Sequence, residues 1–116
     1  LAYSTASDVK YVLNIPQTIL TEDTELGIWI GAADAHLDAA LVKFTSVPLV
    51  VIPTQIKWLS AMYAAAHYRE ARDESRAAGS YLRLITDGYL RTYLSNTYAK
   101  GKVVELPADQ TVSVSS

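Results

Sequence analysis

The two histidines and their neighbours are the residues best placed to do chemistry. His36 stands between Asp34 and Asp38. On a helix, residues two apart point to different faces, so these three cannot close on one metal ion. A surface histidine is the expectation there. His67 precedes Glu70 by about one helical turn. A di-metal bundle needs paired Glu-x-x-His motifs and further inward carboxylates. Here the order is reversed and there is one copy, which predicts a histidine at the edge of a core. A hydrolase or metal protein built on His67 and Glu70 therefore lacks the rest of its site. The chain has no cysteine, which excludes disulfides, thiol nucleophiles and cysteine-ligated zinc. It contains no phosphate loop, dinucleotide fingerprint, HExxH or nucleophile elbow. Glu22, Asp23 and Glu25 cluster where a helix begins, and there carboxylates complement the helix dipole. The expectation is no enzyme, no metal and no cofactor.

What remains is the chemistry of surfaces. Eight of the 116 residues are tyrosine, a side chain that combines large contact area with a polar end. Tyr89 and Tyr93 are the candidates for an interface. Arg83 and Arg91 lie two turns apart and are candidates for a basic surface. The chain is 50% hydrophobic and 19% charged, too apolar for disorder and suited to one folded domain. A net charge of −2 excludes a generic nucleic-acid binder. No apolar run approaches the ~18 residues of a membrane helix. Charge is uneven: residues 1–40 carry −5 and residues 41–116 carry +3, a polarity that suits association between copies.

The elements that must position these residues are helical. A first helix is predicted over about Ala6–Asn14, capped by Thr5 with Asp8 reaching back, and stopped by Pro16. A second runs from about Glu22 to Val42, capped by Thr21. Its stripe is Leu26, Trp29, Ile30, Ala33, Leu37, Ala40 and Leu41. Gly27 and Gly31, four apart, make a smooth ridge for close approach of another helix. Residues 43–52 read as an extended loop. Val47, Leu49, Val50 and Val51 are too apolar to be solvated, so the loop must be buried under its own domain or against another chain. A third helix opens at Pro53 and runs to about Arg76, with Arg69–Asp73 and Asp73–Arg76 as weak surface pairs. Ala78-Gly79-Ser80 is the predicted break. The fourth helix spans about Tyr81–Tyr98. One stripe comprises Leu82, Ile85, Tyr89 and Tyr93; a second comprises Leu84, Leu90 and Leu94. Beyond Gly101, Val103, Val104 and Leu106 precede Pro107, and Val112 and Val114 alternate with serine and threonine as in a strand. The expected fold is all-α: a small bundle of about four helices over residues 1–100, with an extended inter-helix loop and an extended, strand-like arm over residues 101–116. The arm is either disordered or adds to a partner's sheet edge.

The order of these parts resembles the small head–tail connector (adaptor) proteins of tailed double-stranded DNA phages. Tyr3-Ser4-Thr5-Ala6-Ser7-Asp8-Val9-Lys10 is similar to the family's short N-terminal helix. Leu20-Thr21-Glu22-Asp23, leading into Ile30-Gly31-Ala32-Ala33-Asp34-Ala35-His36-Leu37-Asp38, resembles its "I-x-x-A-x-x-x-I-D" helix. Ile52-Pro53-Thr54-Gln55-Ile56-Lys57 resembles its "P-x-x-I/L-K" entry to a long alanine-rich helix, and Tyr63-Ala64-Ala65-Ala66-His67-Tyr68-Arg69-Glu70 the stretch that follows. The pattern is diffuse and has no catalytic motif. The long strand-like tail departs from the family.

The resemblance implies a structural virion protein, assembled in the host cytoplasm and located at the neck of the particle. It implies a homo-oligomeric ring, usually a dodecamer, beneath the portal protein. Such a ring extends the channel for non-specific passage of double-stranded DNA and offers a platform to the next tail or stopper protein. Gly27, Gly31, Val47, Leu49, Val50, Val51, Tyr89 and Tyr93 would then be subunit contacts. Val103, Val104, Leu106, Val112 and Val114 would dock on the portal, and Arg83 and Arg91 would face the channel. The alternative is a free-standing helical module that binds a partner protein.

Overall fold

The computed structural model describes residues 2–99. Four helices follow in order: α1 (Ala6–Leu13), α2 (Asp23–Leu41), α3 (Thr54–Glu70) and α4 (Arg76–Leu94). A 3-10 turn, Asp73–Ser75, joins α3 to α4, and a π-helical turn, Ser95–Ala99, extends α4. The all-α expectation is met.

Local sequence accounts for α1 directly. The Thr5 hydroxyl accepts from the Asp8 N–H while the Asp8 carboxylate accepts from the Thr5 N–H, a closed capping box. Asn14 ends the helix in the left-handed conformation at φ 64°, which asparagine tolerates better than most residues. The start of α2 differs from expectation. Glu22, not Thr21, holds the N-cap, and no side chain caps it; Asp23 and Glu25 still supply negative charge to the first turn.

The core forms around α3. Ile56, Ser60, Ala61, Tyr63, Ala64, Ala65 and Ala66 are each at most 1% exposed. A helix buried on so many sides must be packed from several directions. α1, α2 and α4 all contact it. α2 contributes Leu26, Ile30, Ala33, Leu37 and Leu41, and α1 contributes Val9 and Leu13.

The turn between α3 and α4 falls earlier than predicted. α3 stops at Glu70, and the chain reverses through Ala71–Ser75 rather than at Ala78-Gly79-Ser80. Gly79 lies buried inside α4. A Cβ at that position would stand 2.7 Å from the Ala66 carbonyl oxygen and 2.7 Å from the Glu70 nitrogen. The glycine therefore serves close helix approach, not chain reversal. Ser80 caps nothing; its hydroxyl donates to Glu70 Oε2 at 3.0 Å.

The loop after α2 divides in two. Val47, Leu49 and Ile52 pack partly buried against the core, whereas Val50 is 90% and Val51 81% exposed.

Candidate functional site

Three sets of side chains converge on α3. The first lies toward α2 and α4 and includes the residues singled out for chemistry. The His67 ring stacks on Trp29, centroids 5.7 Å apart. Burial pushes its pKa down, opposed by Glu70. Its Nδ1 is 4.0 Å from Glu70 Oε1. The other Glu70 oxygen accepts from Arg83 Nη2 at 2.6 Å and from Ser80. Glu70 is thus occupied by neighbours on both sides. The Tyr63 hydroxyl donates to Asp87; burial is the main reason that its pKa is raised. The His36 and Tyr63 rings form a T-shaped pair with centroids 4.6 Å apart. Among the described residues no group of three His, Asp or Glu is placed to hold a metal ion.

The second set ties distant segments together. Arg72, in the turn after α3, donates through Nη1 and Nη2 to the two oxygens of Glu25 at 3.0 and 2.9 Å. Its guanidinium carbon lies 3.6 Å above the centre of the Tyr68 ring. This bidentate pair holds the Glu25 carboxyl below its ordinary pKa, helped by the Trp29 Nε1 donor. The predicted Asp73–Arg76 pair forms at 2.6 Å. Across the molecule, Asp34 accepts from the Tyr3 N–H at 3.0 Å and from the Ser60 hydroxyl at 2.6 Å. The Ser4 and Ser60 hydroxyls are 2.6 Å apart. The Tyr3 hydroxyl donates to Asp38 and accepts from the Leu49 N–H at 2.8 Å. These bonds tie the N-terminus, α2, the loop and α3 together. On α1, Lys10 is 2% exposed; its Nζ donates to the Ile19 carbonyl at 2.9 Å and lies 2.8 Å from Asp23 Oδ1.

The third is a groove of about 320 Å³ between the N-terminal half of α3 and the C-terminal half of α4. Trp58, Leu59, Met62 and Tyr93 line it with apolar surface, and Gln55, Thr92 and Asn96 add polar groups. The side chains at the two ends of the α3–α4 contact explain its place. At Gly79 and Ala66 the helices touch through backbone and small side chains. Toward Trp58 and Tyr93 the facing side chains are bulky and the groove lies between them, in keeping with the dependence of interaxial distance on contact-residue size.

The expected contact residues are not gathered into one site. Tyr89 and Tyr93 share the groove, and Tyr89 is 57% exposed. Gly27 and Gly31 are on the exposed side of α2, and an added Cβ at either would meet nothing within 4 Å. Val47 and Leu49 lean on the core while Val50 and Val51 face solvent. Arg83 is engaged by Glu70, and Arg91 is exposed. Val103, Val104, Leu106, Val112 and Val114 lie outside the described residues.

Sequence reasoning missed the Arg72–Glu25 pair, the Asp34 network and the groove. The first two join residues up to 56 positions apart and leave no local signature. The groove did leave one: Trp58 and Met62 are four apart, as are Tyr89 and Tyr93, so each pair lies on one helix face.

Comparison with protein-family models, curated proteins and solved structures finds no match to this chain. Among the described residues no helix is long and apolar enough to cross a membrane.

Proposed function

We propose that this chain is a head–tail connector of a tailed double-stranded DNA phage, a structural protein without enzymatic activity that forms a ring beneath the portal. The observation that carries the reading is the outer face of α2. Thr24, Gly27, Ile28, Gly31, Ala35 and Ala39 are all exposed, and no exposed position between Thr24 and Ala39 is Asp, Glu, Lys or Arg. A solvent-facing helix surface normally carries charge; an uncharged one suits contact with another subunit. Val50, Val51, Tyr81 and Leu84, each at least 67% exposed, add apolar surface elsewhere. A ring buries such surfaces through head-to-tail contacts that close. In this reading the chain beyond residue 101 reaches the portal, the ring gives a platform to the next tail or stopper protein, and DNA passes without sequence-specific contact.

Native mass measurement with light scattering, on the protein alone and mixed with its portal, tests the reading. A ring of about a dozen copies is expected, by analogy with the family it resembles. A strict monomer at high concentration under both conditions rejects it. The groove between α3 and α4 favours a second reading, a free-standing module that binds a partner protein, and that reading predicts the monomer.

A further inference from the structure

We propose that the groove between α3 and α4 seats this chain's own segment Val103–Leu106, with the side chains of Val104 and Leu106 entering it. The inference does not rest on the connector reading, but it bears on it: Val103, Val104 and Leu106 go to the chain's own groove, and residues 108–116 are what it leaves for the portal.

Position is the first argument. Tyr93 and Asn96 line the groove, and the π-helical turn ends at Ala99, three residues past Asn96. Four Cα-to-Cα steps then lead from Ala99 to Val103, which extended span at most ~14 Å. That is enough to turn back along α4. Gly101 lies in this connection and can take the left-handed backbone that reverses a chain after a helix.

Length is the second. From Tyr89 to Asn96 a helix advances about 10 Å at ~1.5 Å per residue. Val103 to Leu106, extended, also covers about 10 Å at ~3.3 Å per residue. In an extended segment Val104 and Leu106 share one side, which leaves Val103 and the Glu105 carboxylate on the other.

Chemistry is the third. Trp58, Leu59, Met62 and Tyr93 present apolar surface for two aliphatic side chains, while the Gln55 and Asn96 amides and the Thr92 hydroxyl offer donors and acceptors to the backbone of a single extended segment. Pro107 follows Leu106, lacks an N–H and marks the end of the seated stretch. Residues 108–116, with Val112 and Val114, stay available to a partner. A short tether favours the same chain over a second copy, because it holds the segment at an effective concentration of about millimolar.

The test is nuclear Overhauser spectroscopy on the full-length protein with labelled valine and leucine methyls. Contacts from the Val104 and Leu106 methyls to the Trp58 and Tyr93 ring protons are expected, unchanged on dilution. The Trp58 and Tyr93 ring-proton resonances shift in the Val104→Asp, Leu106→Asp double variant, while Glu105→Lys keeps both those resonances and the methyl contacts. Absence of these contacts in the folded full chain overturns the proposal. So do contacts that arise only between differently labelled copies in a mixed sample, which assign the groove to a second molecule.

Discussion

Gly79 on α4 and the pair Gly27 and Gly31 on α2 are the same residue type in helices of equal length, yet their surroundings are opposite. Around Gly79 there is no room: a single added carbon would sit 2.7 Å from two backbone atoms of α3. Around Gly27 and Gly31 there is only open space. One glycine is needed for the fold of this chain. The other two cost helix stability and bring the single chain no packing in return. Glycine inside a helix is unfavourable by roughly 1 kcal/mol against alanine, so two of them on an exposed face call for a reason outside the monomer.

The largest expected effect breaks the tight side of this contrast. Gly79→Val forces α4 away from the α3 backbone, which cannot swing aside as a side chain can, and should cost about 3 kcal/mol, the upper part of the usual overpacking range. Urea unfolding measures it; an unchanged midpoint would mean that the two helices are not in contact there. Next comes the polar lock on the other flank of α3. Asp34→Ala leaves the Tyr3 N–H and the Ser60 hydroxyl without their acceptor and should cost about 1–3 kcal/mol. Amide exchange should also speed up at Tyr3, and stability equal to the parent's would show that water replaces the carboxylate.

The open side predicts the opposite sign. Gly27→Ala and Gly31→Ala should each raise the stability of the monomer by up to about 1 kcal/mol. In the connector reading the same changes weaken ring formation, because the added methyls keep the neighbouring subunit at a distance. A gain in melting temperature with undiminished assembly would detach these glycines from any interface.

The smallest effect is on pH dependence. Burial holds His67 below its ordinary value, so on acidification the unfolded chain takes up the proton first. The stability contributed by neutral His67 is complete well above pH ~6.5, the ordinary histidine value. It declines as pH falls below that value and levels off below the folded pKa. His67→Gln should flatten the decline between roughly pH 7.5 and 5.5. Glu25, also lowered but by Arg72, contributes stability above its unfolded value of about 4.3 that is lost as pH falls through its folded value. Its loss thus belongs to a separate, more acid window. An identical slope in the His67 variant would place the acid sensitivity elsewhere.

Much of the architecture was readable from local signals. Thr5 and Asp8 closed the expected capping box, and the buried positions of α2 follow the stripe that its 3.6-residue period implied. Pro53 stands just ahead of α3 as its N-cap. Local signals put the turn after α3 too late, because Gly79 carries two meanings that look alike in sequence. A glycine near a helix end reads as a terminator, and only the presence of the Ala66 carbonyl beside it reveals a packing role. The charged run Arg69–Arg76 looked like a solvated last turn, yet Arg72 crosses to α2 and the chain reverses there.

Apolar periodicity, caps and prolines by themselves determined that this protein is helical, where three of its four helices begin, and which face of α2 is buried, because those signals act within one or two turns of chain. Tertiary structure alone decided that α3 is the central helix, that Gly79 sits against the α3 backbone, that Asp34 and Arg72 join distant segments, and that a groove opens beside Trp58. Each of these depends on atoms brought together from far apart in sequence, where steric exclusion and hydrogen-bond satisfaction, not local preference, set the outcome.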